Sequence, residues 1–189
     1  PVCKTLTLDE LQEHLYSVAD QPDAIPYITS YYTPRWGFCI AHNERMKLVN
    51  GNYQVVIKSR LFNGSLTYGE LILPGESSKE VFLSTYICHP SMANNEISGP
   101  TITTFLAKWL TEGRTNKYTY RIVFIPETIG SVVYLSRNLD CMKANIFSGF
   151  NITCVGDDRA YSYLPSRNGD TISDDVAQHV LKHLCPNFI

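Results

Sequence analysis

Polar and apolar positions along this chain change period from segment to segment, and the period sorts the segments into strands and helices. Tyr118, Tyr120, Ile122 and Phe124 alternate with Thr119, Arg121 and Val123, which predicts a strand over 118–125. The apolar run 80–87 predicts a second strand, and 146–155 a third. Leu8, Leu11, Leu15 and Val18 recur at helical spacing behind a Thr7/Glu10 capping box, so 7–19 reads as a helix. Residues 99–111, 129–140 and 172–184 read as further helices, the last with Thr171 as its cap and Asp174 and Asp175 in its first turn. Asn50-Gly51 and Asn63-Gly64 are two-residue turn signals, so 50–75 reads as hairpins with strands at 53–59 and 65–73. Residues 21–37 hold Pro22, Pro26, Tyr27, Tyr31, Tyr32, Pro34 and Trp36, a loop that lines a cleft or covers one end of a core.

Strands alternating with helices predict an α/β layered domain with a mixed sheet and a hairpin section. In the second half, βαβ units call for parallel strands. Strands 80–87 and 118–125 then run in one direction. His89, Glu127 and the Gly156-Asp157-Asp158 loop emerge at the same sheet edge, where open α/β sheets bind ligands.

That convergence selects the candidate chemistry. The run 80–87 ends in Cys88-His89-Pro90, and a polar loop with Asn94, Asn95 and Glu96 leads to Ser98-Gly99-Pro100 at a helix start. A histidine delivered by a strand into a loop with a carboxylate opens a metal site. The alternative is a packed or capping histidine. Glu127 follows Pro126, which stops the strand ladder. It is either a general base beside a metal or a carboxylate favouring the next helix start. Asp157, Asp158 and Arg159 are either substrate-binding groups or a turn with a local ion pair. His179 and His183 have chelating spacing, but no HExxH pattern accompanies them, and a solvated helix flank accounts for the pair. Ser98 reads as a helix cap; no GxSxG elbow or P-loop occurs.

Composition narrows the class. A chain of 189 residues, 44% hydrophobic, fits one domain. A net charge of −2 with no basic run gives no reason to expect nucleic acid or an anionic membrane as partner. No stretch approaches the roughly 18 apolar residues of a membrane span. The six cysteines form no CxxC pair, and no secretion signal is visible, so the expectation is a cytoplasmic protein with reduced thiols.

The order GELILPG, EVFLSTYICHP, a loop ending in SGP, and YRIVFIPETIGS resembles the zinc aminopeptidase class, whose fold is the three-layer phosphorylase/hydrolase-like α/β sheet. More closely, CHPSMANNEISGP, PETIGS, IPYITSYY, RWGFC and CVGDDRAYSYLPSR resemble bacterial aminopeptidase-like proteins associated with surface-polysaccharide biosynthesis, largely domains of unknown function. The resemblance spans nearly the whole chain. It implies one aminopeptidase-like domain over 1–189, truncated at its C-terminal side, with 45–75 as a small β insertion. It makes His89 the first zinc ligand and puts an acidic ligand at Asn95, an amide here, with Glu96 the nearest carboxylate. Glu127 takes the general-base position. A second Glu is replaced by Thr128, a later acid falls where Thr153 and Cys154 stand, and the closing His lies beyond residue 189. The implied activity is zinc-dependent hydrolysis of an amide in a small molecule, a peptide or an acylated sugar. The alternative is a binding or scaffold module that has lost its ligands. This chain alone is expected to show no aminopeptidase turnover and at most weak zinc binding.

Overall fold

A computed structural model describes residues 1–30, 33–89, 92–113 and 115–189, and they divide into two units, Pro1–Asn63 and Gly64–Ile189. Tyr31, Tyr32, Pro90 and Ser91, which belong to the motifs above, lie outside the described residues.

In the first unit, β1 (Val2–Thr7) pairs antiparallel with β4 (Asn52–Ile57). The capping box forms: the Thr7 N–H donates to Glu10, and Thr7 Oγ1 accepts from the Glu10 N–H. The helix it starts is short, however. α1 is Leu8–Gln12, where the spacing predicts 7–19. Long-range pairing explains the difference, because β2 (Leu15–Tyr16) runs parallel to β3 (Phe38–Cys39). The Phe38 N–H donates to the His14 carbonyl at 2.8 Å, and the His14 ring stacks on Trp36 at 3.5 Å. These contacts override local helical preference. Trp36 and Ile40 pack on Leu11, Leu15 and Val55, so this part of the 21–37 loop covers a core. The short α2 (His42–Arg45) is tied back by Arg45, which donates to the Leu15 carbonyl and to Gln12.

The predicted hairpins do not form. β4 pairs with β1, while the next strand, β5 (Gly69–Leu73), belongs to the sheet of the second unit. Residues 45–75 therefore do not make one β insertion. Turn dipeptides report a local reversal, and pairing partners are set at a distance.

The second unit carries a four-stranded mixed sheet in the order β5-β7-β6-β8. β6 (Ser77–Tyr86), β7 (Tyr118–Ile125) and β8 (Ile146–Asn151) are parallel, and β5 pairs antiparallel with β7 at the edge. The two strands read as central neighbours, β6 and β7, do run side by side in one direction. Side chains alternate between the faces of a strand. Leu83 and Ile122 pack with Ala107 and Leu110 of α3 (Ser98–Thr111). Their neighbours Phe82, Val123 and Ile125 pack with Tyr134 and Met142 of α4 (Ile129–Asn145). The two helices thus cover opposite faces. Each fully buried Leu or Ile here contributes about 1.5–3 kcal/mol. Gly99 lets α3 sit close: a Cβ there would lie 2.3 Å from the Ile152 carbonyl oxygen and 2.4 Å from Thr85 Oγ1.

α5 (Ile172–Leu184) matches the predicted span and contacts β8. Its cap is larger than a capping box. The buried Asp174 accepts from Thr171, Ser166 and Tyr163, so one carboxylate gathers the 161–171 segment onto the helix start. No helix among the described residues is long and apolar enough to cross a membrane.

Candidate functional site

β6 and β7, being parallel neighbours, release the chain at the same sheet edge. Beyond β6 stand Cys88 and His89; beyond β7 stand Pro126 and Glu127. A π-helical turn, Ala93–Ile97, then brings Glu96 back beneath Cys88.

Glu96 is only 6% exposed, and both of its oxygens are engaged. Oε2 accepts from the Cys88 N–H at 2.6 Å, and Oε1 meets His89 Nδ1 at 2.6 Å. Burial pushes the Glu96 carboxyl up, but the Cys88 N–H and the His89 ring outweigh it, and the group is held below its ordinary range. Cys88 Sγ lies 3.3 Å from His89 Nδ1 and accepts from the Glu127 N–H at 3.2 Å. Burial, followed by the neighbouring Glu96 and Glu127, pushes the Cys88 thiol up. Glu127 is half-exposed, with Oε2 4.0 Å from His89 Nδ1.

His89, Glu96 and Glu127 are therefore brought together, as the topology implied. Cys88 joins them: its sulfur, a His89 ring nitrogen and a Glu96 oxygen lie within 4.8 Å of one another. The reading of single residues had passed over Cys88, although a thiol directly before a strand-end histidine was the available signal. A thiolate, an imidazole and a carboxylate are the donor types zinc takes, and three of them leave a coordination position open. The residues fit such an ion in kind and number. A bound cation would compete with the 2.6 Å contact between His89 and Glu96.

Asn95 does not join this cluster. Its amide donates to the Tyr86 hydroxyl at 2.9 Å and points toward Cys154 Sγ at 3.7 Å, while Thr153 also donates to Tyr86. This neighbouring corner is built of an amide, hydroxyls and a thiol. Burial pushes the Tyr86 hydroxyl up and keeps it neutral. Asn95 is thus corrected from candidate metal ligand to member of a neutral network.

Asp157 and Arg159 form the local ion pair of the alternative reading: Nε lies 2.9 Å from Oδ1, and Arg159 holds the Asp157 carboxyl down at about 2. Asp158 and Arg159 line a separate hollow with Tyr161, Cys185 and Phe188. His183 Nδ1 bonds the His179 carbonyl at 2.7 Å, so that pair serves its own helix.

Two cavities lie near the strand ends. One, of about 500 Å³, is lined by Ile87, Ile97, Pro100 and Thr101 around Cys88, His89 and Glu96. The other, of about 300 Å³, lies against the start of α4 and includes Glu127, Ser131 and Asn151. Thr128, which lines the second cavity, has φ +57, and the Ile129 N–H bonds the Glu127 carbonyl at 2.6 Å, a tight γ-turn. A β-branched residue held in this conformation stores strain, a frequent mark of functional sites.

The second unit is a mixed α/β sheet with a His, Cys and Glu cluster at its strand ends. The chain belongs to the family described as Domain of unknown function (DUF4910), which matches residues 1–189. It is 48% identical over 183 residues to a Clostridium acetobutylicum protein named "Putative polysaccharide biosynthesis protein with aminopeptidase-like domain", covering 97% of this chain and 42% of that protein. It is also similar to the crystal structure of a "putative peptidase" from Clostridium acetobutylicum, with 46% identity and a TM-score of 0.91, covering 100% of this chain and 44% of the other. The chain spans less than half the length of these relatives.

Proposed function

We propose that the chain contributes a metal-holding strand-end cluster and a general base to a zinc-dependent hydrolase of amide bonds, aminopeptidase-like in kind and built on a three-layer phosphorylase/hydrolase-like sheet. The single observation that carries this reading is the convergence of Cys88 Sγ, His89 and Glu96 within 4.8 Å, with the Glu127 carboxylate 4.0 Å from the imidazole. His89, Cys88 and Glu96 are the residues that would hold the ion. Bound there, zinc would supply Lewis-acid polarisation of the substrate carbonyl and lower the pKa of water.

The chain's own residues do the rest. Glu127 reaches the cleft from a half-exposed position, so it takes the proton of the attacking water as the new C–O bond forms. It then delivers that proton to the nitrogen as the C–N bond breaks, leaving a carboxylate and an amine. Glu96 fixes the His89 ring through Nδ1. The γ-turn at Thr128 fixes the backbone beside Glu127.

A second reading, a binding or scaffold module in polysaccharide biosynthesis, is favoured by the neutral Tyr86–Asn95–Thr153 corner, where a two-metal centre would need carboxylates. Metal analysis of the full-length protein separates the readings. The hydrolase reading expects near-stoichiometric zinc and chelator-sensitive amide cleavage, whereas the scaffold reading expects neither.

A further inference from the structure

The cavity beside Cys88, His89 and Glu96 and the cavity that Glu127 lines differ in chemistry, and the difference has a direction. The side that holds Cys88, His89 and Glu96 is walled by Ile87, Ile97 and Pro100. The side that Glu127 lines is walled by Ser84, Tyr86, Thr128, Ser131 and Asn151, with Ile125 as an apolar patch. Hydroxyls both donate and accept, and amides do so at separate atoms, so this wall matches a ligand rich in hydroxyl groups. Among the described residues, Glu127 is the charged residue that lines it. A peptide product with a free carboxylate would meet that negative charge. A neutral polyol carrying an amine would not, and once protonated its ammonium would face Glu127 favourably.

Resting on the hydrolase reading above, the geometry points to an N-acylated amino sugar as the substrate class. The acyl chain lies in the apolar cavity and the sugar ring in the hydroxyl-lined one. The orientation follows from the chemistry. The carbonyl must face the Cys88–His89–Glu96 corner, and the leaving nitrogen must face Glu127, which protonates it. Water adds its oxygen to the carbonyl carbon, the C–N bond breaks, and a fatty or short-chain carboxylate and an amino sugar leave. The 300 Å³ of the polar cavity stands at the low end for small-molecule sites, a size that admits one sugar ring rather than an oligomer.

The test has two arms. In the first, metal-free protein is titrated with N-acetylglucosamine and, separately, with glycylglycine, and amide shifts are followed by NMR. The sugar is expected to move Ser84, Ser131 and Asn151, and Ser131→Leu or Ser84→Val to weaken its binding about tenfold or more in a chain whose melting curve is unchanged. Two variants are used so that one that fails to fold does not decide the matter. Preferential glycylglycine binding at those residues, or sugar shifts elsewhere, overturns the inference. In the second arm, the zinc-loaded full-length protein is assayed on N-acylglucosamines from acetyl to octanoyl and on aminoacyl-anilides. Higher kcat/KM on an acylglucosamine supports the inference. Higher kcat/KM on anilides overturns it while leaving the hydrolase reading standing. Turnover of neither, with the sugar still bound at Ser131, supports the sugar subsite and removes the hydrolase reading.

Discussion

Among the described residues of the second unit, one ionic cluster is buried in the sheet and another lines a cavity. Arg121, in the middle of β7, is 6% exposed. It makes a bidentate pair with Glu80, reaches Glu70 through Nη1, and takes a further contact from Tyr134, itself 1% exposed. The Tyr134 hydroxyl donates to Glu70, and burial together with that bond pushes it up to about 12. Every charge in this cluster has a protein partner. At the end of the same strand pair, Glu96 meets the His89 ring and accepts from the Cys88 N–H and thiol, Glu127 is half-exposed, and a cavity of about 500 Å³ adjoins. Both clusters pair two glutamates with a basic side chain. They differ in that a cavity adjoins the second.

That contrast can be broken most forcefully at Arg121. Arg121→Ala strands two carboxylates, one of them buried, and should lower stability by about 3–5 kcal/mol in urea unfolding. Zinc affinity of the folded fraction should not change. If stability held and zinc affinity fell, the closed cluster would belong to the site.

The converse substitution is Glu96→Gln. It keeps the size of the side chain and removes the carboxylate that serves His89, so zinc affinity should fall about 10–100-fold. Competition with a chromogenic chelator reads the change, and an unaltered affinity would leave Glu96 with a purely structural part.

Acid should separate the clusters as well. The folded Glu96 carboxyl is held below its ordinary value of 4.5, so its stabilisation is fully present above that value and is lost as pH falls through the folded value. Unfolding free energy should therefore slope downward below about pH 4.5, and Glu96→Gln should flatten that slope. A slope of equal size in the variant would assign it to other carboxylates, with Asp174 first among them.

The smallest effect concerns a polar atom that belongs to neither cluster. Thr103, wholly buried on α3, has a hydroxyl without a hydrogen-bond partner among the described residues. Thr103→Val conserves shape and should stabilise the protein by about 1 kcal/mol with zinc binding untouched. A loss of stability would show that the hydroxyl has a partner, such as a buried water.

Much of this contrast was legible in the sequence, and the rest could not have been. β7 and α5 have the spans predicted, because alternation over 118–125 and the Thr171 cap are local signals. His89 and Glu127 converge because parallel neighbours end at one edge, a rule that needs only the order of elements. Three things were hidden by long-range pairing: the early end of α1, the partnership of β1 with β4, and the placement of β5 beside β7. The Arg121 cluster was hidden for the same reason. Glu70, Glu80 and Arg121 are far apart in sequence, and a register shift at Glu80 accompanies the pairing that puts them together. Asn95 and Glu96 are adjacent in sequence, and only the π-helical turn decides that Glu96 goes to His89 and Asn95 to Tyr86.

The central claim is that the Cys88–His89–Glu96 corner holds a metal ion. The most direct measurement is zinc content after equilibrium dialysis of the full-length protein and its His89→Ala variant, each with a melting curve to establish folding. The account predicts near one zinc per wild-type chain, removable by chelator, and a loss of that zinc in a folded His89→Ala variant. A folded wild type that takes up no zinc, or a variant that retains it, would contradict the account.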